Sequence, residues 1–361
     1  FVSNKCRMLV SEFRLCRMMC RRVPGVWIAR TRQTARCDGP SNIAGPSDGS
    51  RCFYSSLPPG HQMNVFDRKA KMRHKTLAAL DKDAEVYDYL KDEVGYRLAD
   101  RVYDIKRKFP RAVELGCGRG HVSHHLDSEA VESLILCDTS QECLKRCKVP
   151  KDVPVTKLVA DEEFLPFAEN SIDIFLSSLS LHWVNNLPGT FKQVWNALKQ
   201  DGAFLGCVFG GETLYQLRGS LQLAETEREG GFGAHISPFV QPTDLAALLN
   251  HAGFVLLTID SDEMTVNYPT AFHLMADLKG MAENNVTWKR KSHLHRDTMV
   301  AAAAIYQELY GNEDGSVPAT FHILSFIGWK PHPSQAKPAK RGSQTVSLKD
   351  LGSLLDPASK T

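Results

Sequence analysis

The stretch Glu114-Leu115-Gly116-Cys117-Gly118-Arg119-Gly120 directly follows the predicted strand Ala112–Leu115 and decides the fold class. Glycines here let the chain turn tightly towards a helix and let its backbone approach a ligand. The spacing is Gly-x-Gly-x-Gly, whereas a dinucleotide fingerprint is Gly-x-Gly-x-x-Gly with a small residue where His121 stands. The motif therefore favours S-adenosylmethionine over NAD or FAD. The candidate contacts are Glu114, Gly116, Gly118 and Gly120.

Acidic residues follow the next two predicted strands. Asp138 ends the strand Ser133–Cys137, where a carboxylate can accept both hydroxyls of a ribose. Asp161 and Glu162 follow the strand Thr156–Ala160, where an acid can take the amino group of an adenine. Taken singly, the glycines could form only a tight turn, Asp138 could cap the next helix and Asp161 could be a loop acid. Their order at three strand ends favours one cofactor site.

Alternation of strands and helices predicts an α/β protein with a parallel sheet covered on both faces. We expect the class I S-adenosylmethionine-dependent methyltransferase fold, which is Rossmann-like, with a seven-stranded sheet and a long insertion at about 211–318 before the last strand. The other predicted strands are Ile172–Ser177, Ala203–Phe209, Val255–Ile259 and Thr320–Trp329. The predicted helices are 64–108, Ser140–Cys147, Phe191–Leu198, Ala271–Met281 and Asp297–Tyr310.

The first 59 residues carry ten Lys or Arg and only three acids, so the excess of positive charge lies in this segment, in a chain whose net charge is +3. Arginines spaced among apolar residues are typical of a mitochondrial transit peptide, although a disordered basic arm would have the same composition. We expect residues 1–59 to be presequence and linker, 60–335 to be one domain, and 336–361 to be a flexible tail. The small net charge argues against nucleic acid as a partner, and no apolar run is long enough for a membrane span.

Cysteine and histidine spacing gives little reason to expect a metal. No Cys-x-x-Cys pair occurs, so a zinc site is not expected, and the cysteines of the domain should be reduced thiols. A histidine-rich patch contains His121, His124, His125 and Asp127, and its His125-x-Asp127 resembles half of a facial iron triad. It should lie on the first helix of the fold, away from the strand ends, where a solvated helix face is the simpler interpretation.

The fourth strand runs into Ser177-Ser178-Leu179-Ser180-Leu181-His182-Trp183. His182 and Trp183 should therefore lie near the group that reacts. The alternative is that Trp183 packs on the sheet and that His182 is a satisfied polar residue.

Four motifs, ELGCGRG, LCDTS, ADEEFLPF and SSLSLHW, resemble the type-11 methyltransferase family, in the order seen in the malonyl-carrier-protein methyltransferases of biotin synthesis. Longer segments are more specific: GGETLYQLRGSLQLAETEREGGFGAHISPF, MAENNVTWKR, LHRDTMVAAAAIYQELY and NEDGSVPATFHI. These resemble the mitochondrial arginine hydroxylase family, also called complex I assembly factor 5, from about Asn64 to about Leu351. The resemblance implies a mitochondrial matrix protein, peripheral at the inner membrane, that hydroxylates an arginine of a complex I subunit.

An arginine substrate would be met by carboxylates, because a guanidinium bonds both oxygens at once. The insertion offers Glu225, Glu227, Glu229, Glu263 and Glu283, with Tyr215 and His235, as candidates for the arginine entrance. Each acid could equally lie on a solvated helix face.

The residues themselves do not show the chemistry of hydroxylation. We find no iron triad, flavin fingerprint or thiolate cluster that would indicate the oxidant. Two alternatives stay open at this point: a methyltransferase acting on a protein or carboxylate, and a non-catalytic assembly chaperone whose cofactor pocket is structural.

Overall fold

The computed structural model describes residues 64–291, 293–335, 337 and 340–343. The predicted presequence and linker, 1–59, lie outside the described residues, as does most of the predicted tail, 336–361. The domain boundaries therefore stay predictions.

The described part of the chain contains eight α-helices, seven strands and three short 3-10 turns. The helices are α1 Arg68–Leu80, α2 Tyr89–Tyr103, α3 Gln141–Arg146, α4 Leu187–Ala197, α5 Tyr215–Glu229, α6 Pro242–Ala252, α7 Ala271–Gly280 and α8 Arg296–Tyr310. The strands are β1 Ala112–Leu115, β2 Leu134–Asp138, β3 Val155–Val159, β4 Ile172–Ser178, β5 Leu198–Phe209, β6 Val255–Tyr268 and β7 Val317–Trp329. The 3-10 turns are Ala84–Tyr87, Ser123–His125 and Leu181–Trp183.

All seven strands form one sheet in the order β3-β2-β1-β4-β5-β7-β6. Strands β1 to β5 are parallel, and β7 runs antiparallel between β5 and β6. Helices α2, α5, α7 and α8 contribute to the apolar cluster of one face, and α4 and α6 to that of the other. The order reverses beside β1, which places a crevice at the carboxyl ends of β1 and β4. The predicted class I fold is confirmed.

The helical stretch predicted at 64–108 is interrupted in the structure. The chain forms α1 and α2, separated by Asp81–Asp88 with its 3-10 turn. The Asp81 side chain accepts from the backbone N–H of Asp83, and the backbone N–H of Asp81 closes the last turn of α1 on Leu77. An aspartate that bonds its own backbone competes with helix continuation, and helical spacing of apolar residues cannot show that break.

The predicted insertion at 211–318 is not a single segment. Strand β6 and the helix before it, α6, are part of the main sheet and its cover. The segments added to the sheet and its cover are therefore two. One is α5 with the loop that follows it, and the other is α7 with α8, between β6 and β7. Helices α5 and α6 had no counterpart among the predicted elements, although α6 has Pro242 in its first turn and Gly253 at its end.

The first helix expected after the glycine motif is only the 3-10 turn Ser123–His125. The ring of His124 bonds back to the carbonyl of Gly120 across 2.6 Å, and His121 is buried. The solvated helix face expected for this histidine patch is therefore wrong for His121. No helix of the described residues is long and apolar enough to cross a membrane.

Candidate cofactor and substrate site

The glycine motif forms a loop at the carboxyl end of β1. Gly116, Gly118 and Gly120 all have positive φ angles, of 68°, 56° and 85°. A Cβ at Gly116 would overlap the Ser180 hydroxyl, whereas one at Gly118 would meet nothing nearer than 3.5 Å, at the His121 ring. The loop needs glycine for its backbone, and at Gly118 it leaves backbone open to the cleft.

Asp138 is fully buried at the end of β2, beside this loop. Its Oδ2 accepts from the backbone N–H of Gly118 at 2.9 Å, and its Oδ1 accepts from that of Ser140 at 2.8 Å. The Lys75 ammonium of α1 lies 2.9 Å from the same Oδ2. Helix α3 is capped by the Ser140 side chain, so the predicted alternative of Asp138 as the helix cap does not describe its role.

Glu162 is the buried acid after β3, and Asp161 is its more exposed neighbour. The Ser180 hydroxyl donates to Glu162 Oε1 at 2.7 Å. The Arg68 guanidinium contacts both acids, at 2.7 Å from Asp161 Oδ1. Burial would raise the pKa of Glu162, but the charges of Lys75 and Arg68 outweigh it and lower the pKa to about 2. Glu162 is therefore ionised at neutral pH.

The cleft beside the glycine loop has an empty volume of about 580 Å³, part of it open to solvent. Two carboxylate oxygens at its wall, Glu114 Oε2 and Asp88 Oδ2, are buried without a hydrogen-bond partner. Burial raises the pKa of Glu114 well above its ordinary value. Unpaired polar atoms are costly in a protein interior, so this wall is suited to a ligand that donates hydrogen bonds.

A small charged group closes one end of the cleft. His121 Nδ1 lies 2.6 Å from Asp92 Oδ1, and Asp88 pairs with the Arg119 guanidinium. Asp88, Asp92 and His121 are close enough together to hold a metal ion. The Arg119 charge already compensates Asp88, which weakens that interpretation.

His182 and Trp183 lie in the 3-10 turn after β4, next to a buried carboxylate, Glu283. The Trp183 Nε1 donates to Glu283 Oε2 at 2.8 Å, and His182 Nε2 lies 3.4 Å from the same oxygen. Lys71 and Lys91 approach Glu283 at 3.2 and 2.9 Å. We call Lys71, Lys91, His182, Trp183 and Glu283 the Glu283 cluster.

The electrostatics of the Glu283 cluster are unusual. Burial would raise the pKa of Glu283, but Lys71 and Lys91 outweigh it and hold the pKa well below its ordinary value. Burial lowers the pKa of Lys71 to about 7, with Glu283 opposing only in part. Burial also lowers the pKa of His182, which is neutral at pH 7. Trp183 packs with Phe66, Ala70 and Val286 rather than in the apolar clusters of the sheet, and His182 Nδ1 is buried without a hydrogen-bond partner. The alternative of a tryptophan on the sheet beside a satisfied histidine is therefore wrong, and the place of this pair near the reacting group stays a prediction.

The other acids named for an arginine entrance are placed differently. Glu225 is buried and accepts from Lys291 at 2.5 Å and from the backbone N–H of Gly233 at 2.6 Å, with His235 Nε2 at 2.7 Å. Glu229 accepts from Lys291 and Thr298. These residues form a second ion-pair group, which has no residue in common with the Glu283 cluster. Glu227 and Glu263 are exposed, and Tyr215 stacks edge-on with Tyr310.

The chain is similar to known proteins over most of its length. It is 59% identical over 292 residues to the mitochondrial arginine-hydroxylase NDUFAF5 of Danio rerio, covering 81% of this chain and 91% of that protein. It is 53% identical over 338 residues to the same-named protein of Rattus norvegicus, covering 92% of this chain and 98% of that one. The chain belongs to the NDUFAF5 family.

The chain also has more distant similarities to methyltransferases. The sequence profile of a methyltransferase domain, Methyltransf_11, matches residues 113–206. A malonyl-acyl-carrier-protein O-methyltransferase of Halorhodospira halophila is 28% identical over 278 residues, covering 74% of this chain and 91% of that protein. The solved phosphoethanolamine N-methyltransferase 2 of Haemonchus contortus, in complex with S-adenosylhomocysteine, is 16% identical with a TM-score of 0.39, covering 64% of this chain and 53% of that one.

Residues of this NDUFAF5-family chain that the sequence reasoning missed lie mainly on α1. Arg68, Lys71 and Lys75 recur every three or four residues, which places them on one face of a helix. That face contacts Asp161, Glu162, Glu283 and Asp138. The periodicity was a usable signal, but nothing local indicated that its partners were the site acids rather than solvent.

Proposed function

We propose that the cleft binds S-adenosylmethionine. The open backbone at Gly118, the buried acids Asp138 and Glu162, and the unpaired oxygens of Glu114 and Asp88 suit a ligand with hydroxyl, amino and ammonium donors. Asp138 would accept from the ribose hydroxyls, and Asp161 with Glu162 would meet the adenine amino group. The bound molecule supplies a cationic sulfonium with a transferable methyl group.

The residues present fit this cofactor on one condition. A carboxylate has about four acceptor positions, and Asp138 already fills three of them with Lys75, Gly118 and Ser140. Two ribose hydroxyls therefore require Lys75 to withdraw. The side chain of Lys75 is long enough to move without the backbone doing so, because four rotatable bonds separate its ammonium from Cα.

The activity we propose is hydroxylation of an arginine in a subunit of respiratory complex I. The identity of 53–59% over more than four fifths of the chain with proteins named arginine-hydroxylases is the observation that carries this proposal. The role of this chain's own residues is to bind and orient: acids hold the cofactor, and the buried turn with His182 and Trp183 excludes water from the place where the substrate side chain would enter.

The proposed location is the mitochondrial matrix, peripherally at the matrix face of the inner membrane. The relatives are named as mitochondrial proteins, and the predicted presequence supports the same compartment.

The test is the mass of the product after the protein is incubated with S-adenosylmethionine and purified complex I subunits, in air and with an added reductant. Insertion of one oxygen atom of dioxygen consumes two electrons and releases water, so both the oxidant and the reductant are supplied. An arginine residue heavier by one oxygen atom supports hydroxylation. A residue heavier by one methylene group would indicate methyl transfer instead of hydroxylation. Methyl transfer is the second candidate activity, because the chain is 28% identical to a malonyl O-methyltransferase. Stable binding of a complex I subunit, which we call the client, without any mass change would favour an assembly chaperone.

A further inference from the structure

The Glu283 cluster contains an internal cation that is held by three different kinds of acceptor. Lys71 Nζ lies 3.2 Å from Glu283 Oε2, 2.7 Å from the carbonyl oxygen of Ala282 and 4.0 Å from the centre of the Trp183 ring. A carboxylate, a backbone carbonyl and an aromatic face together are the groups that bind a guanidinium in proteins.

The acceptors are fixed before any ligand arrives. Glu283 is held from one side by the Trp183 N–H and from the other by Lys91, which bonds Oε1 and leaves Oε2 to the others. Ala282 has a φ angle of 62°, a conformation that a residue with a Cβ rarely adopts, and this backbone turns its carbonyl towards Lys71. Strained backbone of this kind persists only where the surroundings enforce it.

The cluster adjoins the proposed cofactor cleft. Lys91, Met281 and Ala282 line the cleft. Lys91 also pairs with Glu283 and donates to the Met281 carbonyl, and the Ala282 carbonyl accepts from Lys71. His182 and Trp183 lie in the turn that follows Leu179 at the cleft wall. A side chain that reached Glu283 from the cleft would pass beside the cofactor.

We propose that Glu283, Ala282 and Trp183 form the receptor for the guanidinium of the substrate arginine, and that Lys71 occupies this receptor until the substrate displaces it. The proposal rests on the proposed function for the identity of the substrate. It assigns the receptor to Glu283 rather than to Glu225, Glu227 or Glu229.

The displacement is favoured by a difference between the two cations. Burial lowers the pKa of Lys71 to about 7, so a large share of this side chain is neutral at a slightly alkaline pH. A guanidinium stays charged under all such conditions. The substrate guanidinium is therefore always charged when it meets the ionised carboxylate of Glu283, whereas Lys71 loses its proton easily.

The experiment removes the internal cation and measures binding of a small probe. Lys71→Met in the full chain should bind N-acetyl-L-arginine methylamide about tenfold more tightly than the unmodified protein in calorimetry, because no internal ammonium competes. The neutral isostere N-acetyl-L-citrulline methylamide should show no gain. Lys69→Met is the matched control, since Lys69 lies exposed on the same helix, and it should bind like the unmodified protein.

A second substitution locates the receptor. Adding Glu283→Gln to Lys71→Met should abolish the gain, and adding Trp183→Phe, a milder change that removes the indole N–H, should reduce it. If Glu283→Gln prevents folding, the Trp183→Phe combination still decides the question. An unchanged affinity in Lys71→Met, an equal gain for citrulline, or a gain that survives both second substitutions would overturn the proposal.

This outcome is separable from that of the proposed function. Probe binding measures only guanidinium recognition, whereas the product mass measures the reaction. Tight arginine binding in Lys71→Met, together with no oxygen-bearing product from the unmodified protein, would refute the hydroxylase and keep the receptor. Hydroxylation by Glu283→Gln with an unchanged KM would refute the receptor and keep the hydroxylase.

Discussion

The Lys75 ammonium lies 2.9 Å from the carboxylate of Asp138, at the end of β2 where a ribose would bind. The ion pair is buried, because Asp138 is fully enclosed and the Lys75 side chain is only 11% exposed. Asp138 and Glu162 raise the pKa of Lys75 above its ordinary value despite its burial. Helix α1 thus closes the proposed cofactor site with a charge of its own.

Removal of this charge should strengthen cofactor binding. In Lys75→Gln the ribose hydroxyls no longer compete with an ammonium for Asp138, and we expect the affinity for S-adenosylmethionine to rise about three- to tenfold. Calorimetry measures this directly. Lys69→Gln, on the exposed side of the same helix, should leave the affinity unchanged. A weaker affinity in Lys75→Gln would mean that Lys75 contacts the cofactor rather than competing with it.

The glycine loop allows backbone strain to be separated from steric overlap. Gly116 and Gly230 have similar φ angles, of 68° and 71°, but a Cβ would overlap Ser180 at Gly116 and would meet nothing within 4 Å at Gly230. Gly230→Ala should cost about 1 kcal/mol of unfolding free energy, from strain alone. Gly116→Ala should cost clearly more and should abolish cofactor binding. If urea unfolding gives equal losses of unfolding free energy for the two variants, the Ser180 side chain moves away from the added Cβ at little cost.

The buried Lys71 predicts a dependence of stability on pH. Its pKa is about 7 in the folded protein and has the ordinary value of 10.5 in the unfolded chain. Between these values the unfolded chain binds more protons at this position, so its contribution to the free energy of unfolding rises with pH. The stability of the unmodified protein minus that of Lys71→Met should therefore increase from about pH 7 to about pH 9.

Urea unfolding at several pH values measures this difference. Lys69→Met should give a difference that does not change with pH, because that lysine is exposed. A difference that stays flat or falls for Lys71→Met would show that Lys71 keeps its proton in the folded state.

The second ion-pair group should act on stability rather than on the substrate. Glu225 holds Lys291, His235 and the backbone of Gly233, while Glu227, two residues further on, is exposed. Glu225→Gln should lower the Tm by several degrees, since it leaves the Lys291 charge with a weaker partner. Glu227→Gln should change neither the Tm nor client binding. Weaker client binding in Glu227→Gln with an unchanged Tm would restore the arginine entrance predicted for this helix.

The sequence by itself determined, along the chain, the order of the first four strands and the position of the acids proposed to bind the cofactor. Ala112–Leu115 is a strand as predicted, and the predicted β2, β3 and β4 differ from the structure by one residue or fewer at each end. Short apolar runs bounded by turns carry this information locally. Asp138 and Glu162 could be placed because parallel strands bring their carboxyl ends to one edge.

Only the tertiary structure decided which charges meet. Glu225, Glu229 and Glu283 look alike as acids of one region, yet two of them pair with Lys291 and the third lies buried with His182 and Trp183. Lys71 and Lys75 precede the glycine motif by some forty residues and still contact the acids after β2 and α7. Helix periodicity fixes the face on which a cation lies, whereas its partner depends on how distant elements pack, and no local pattern encodes that.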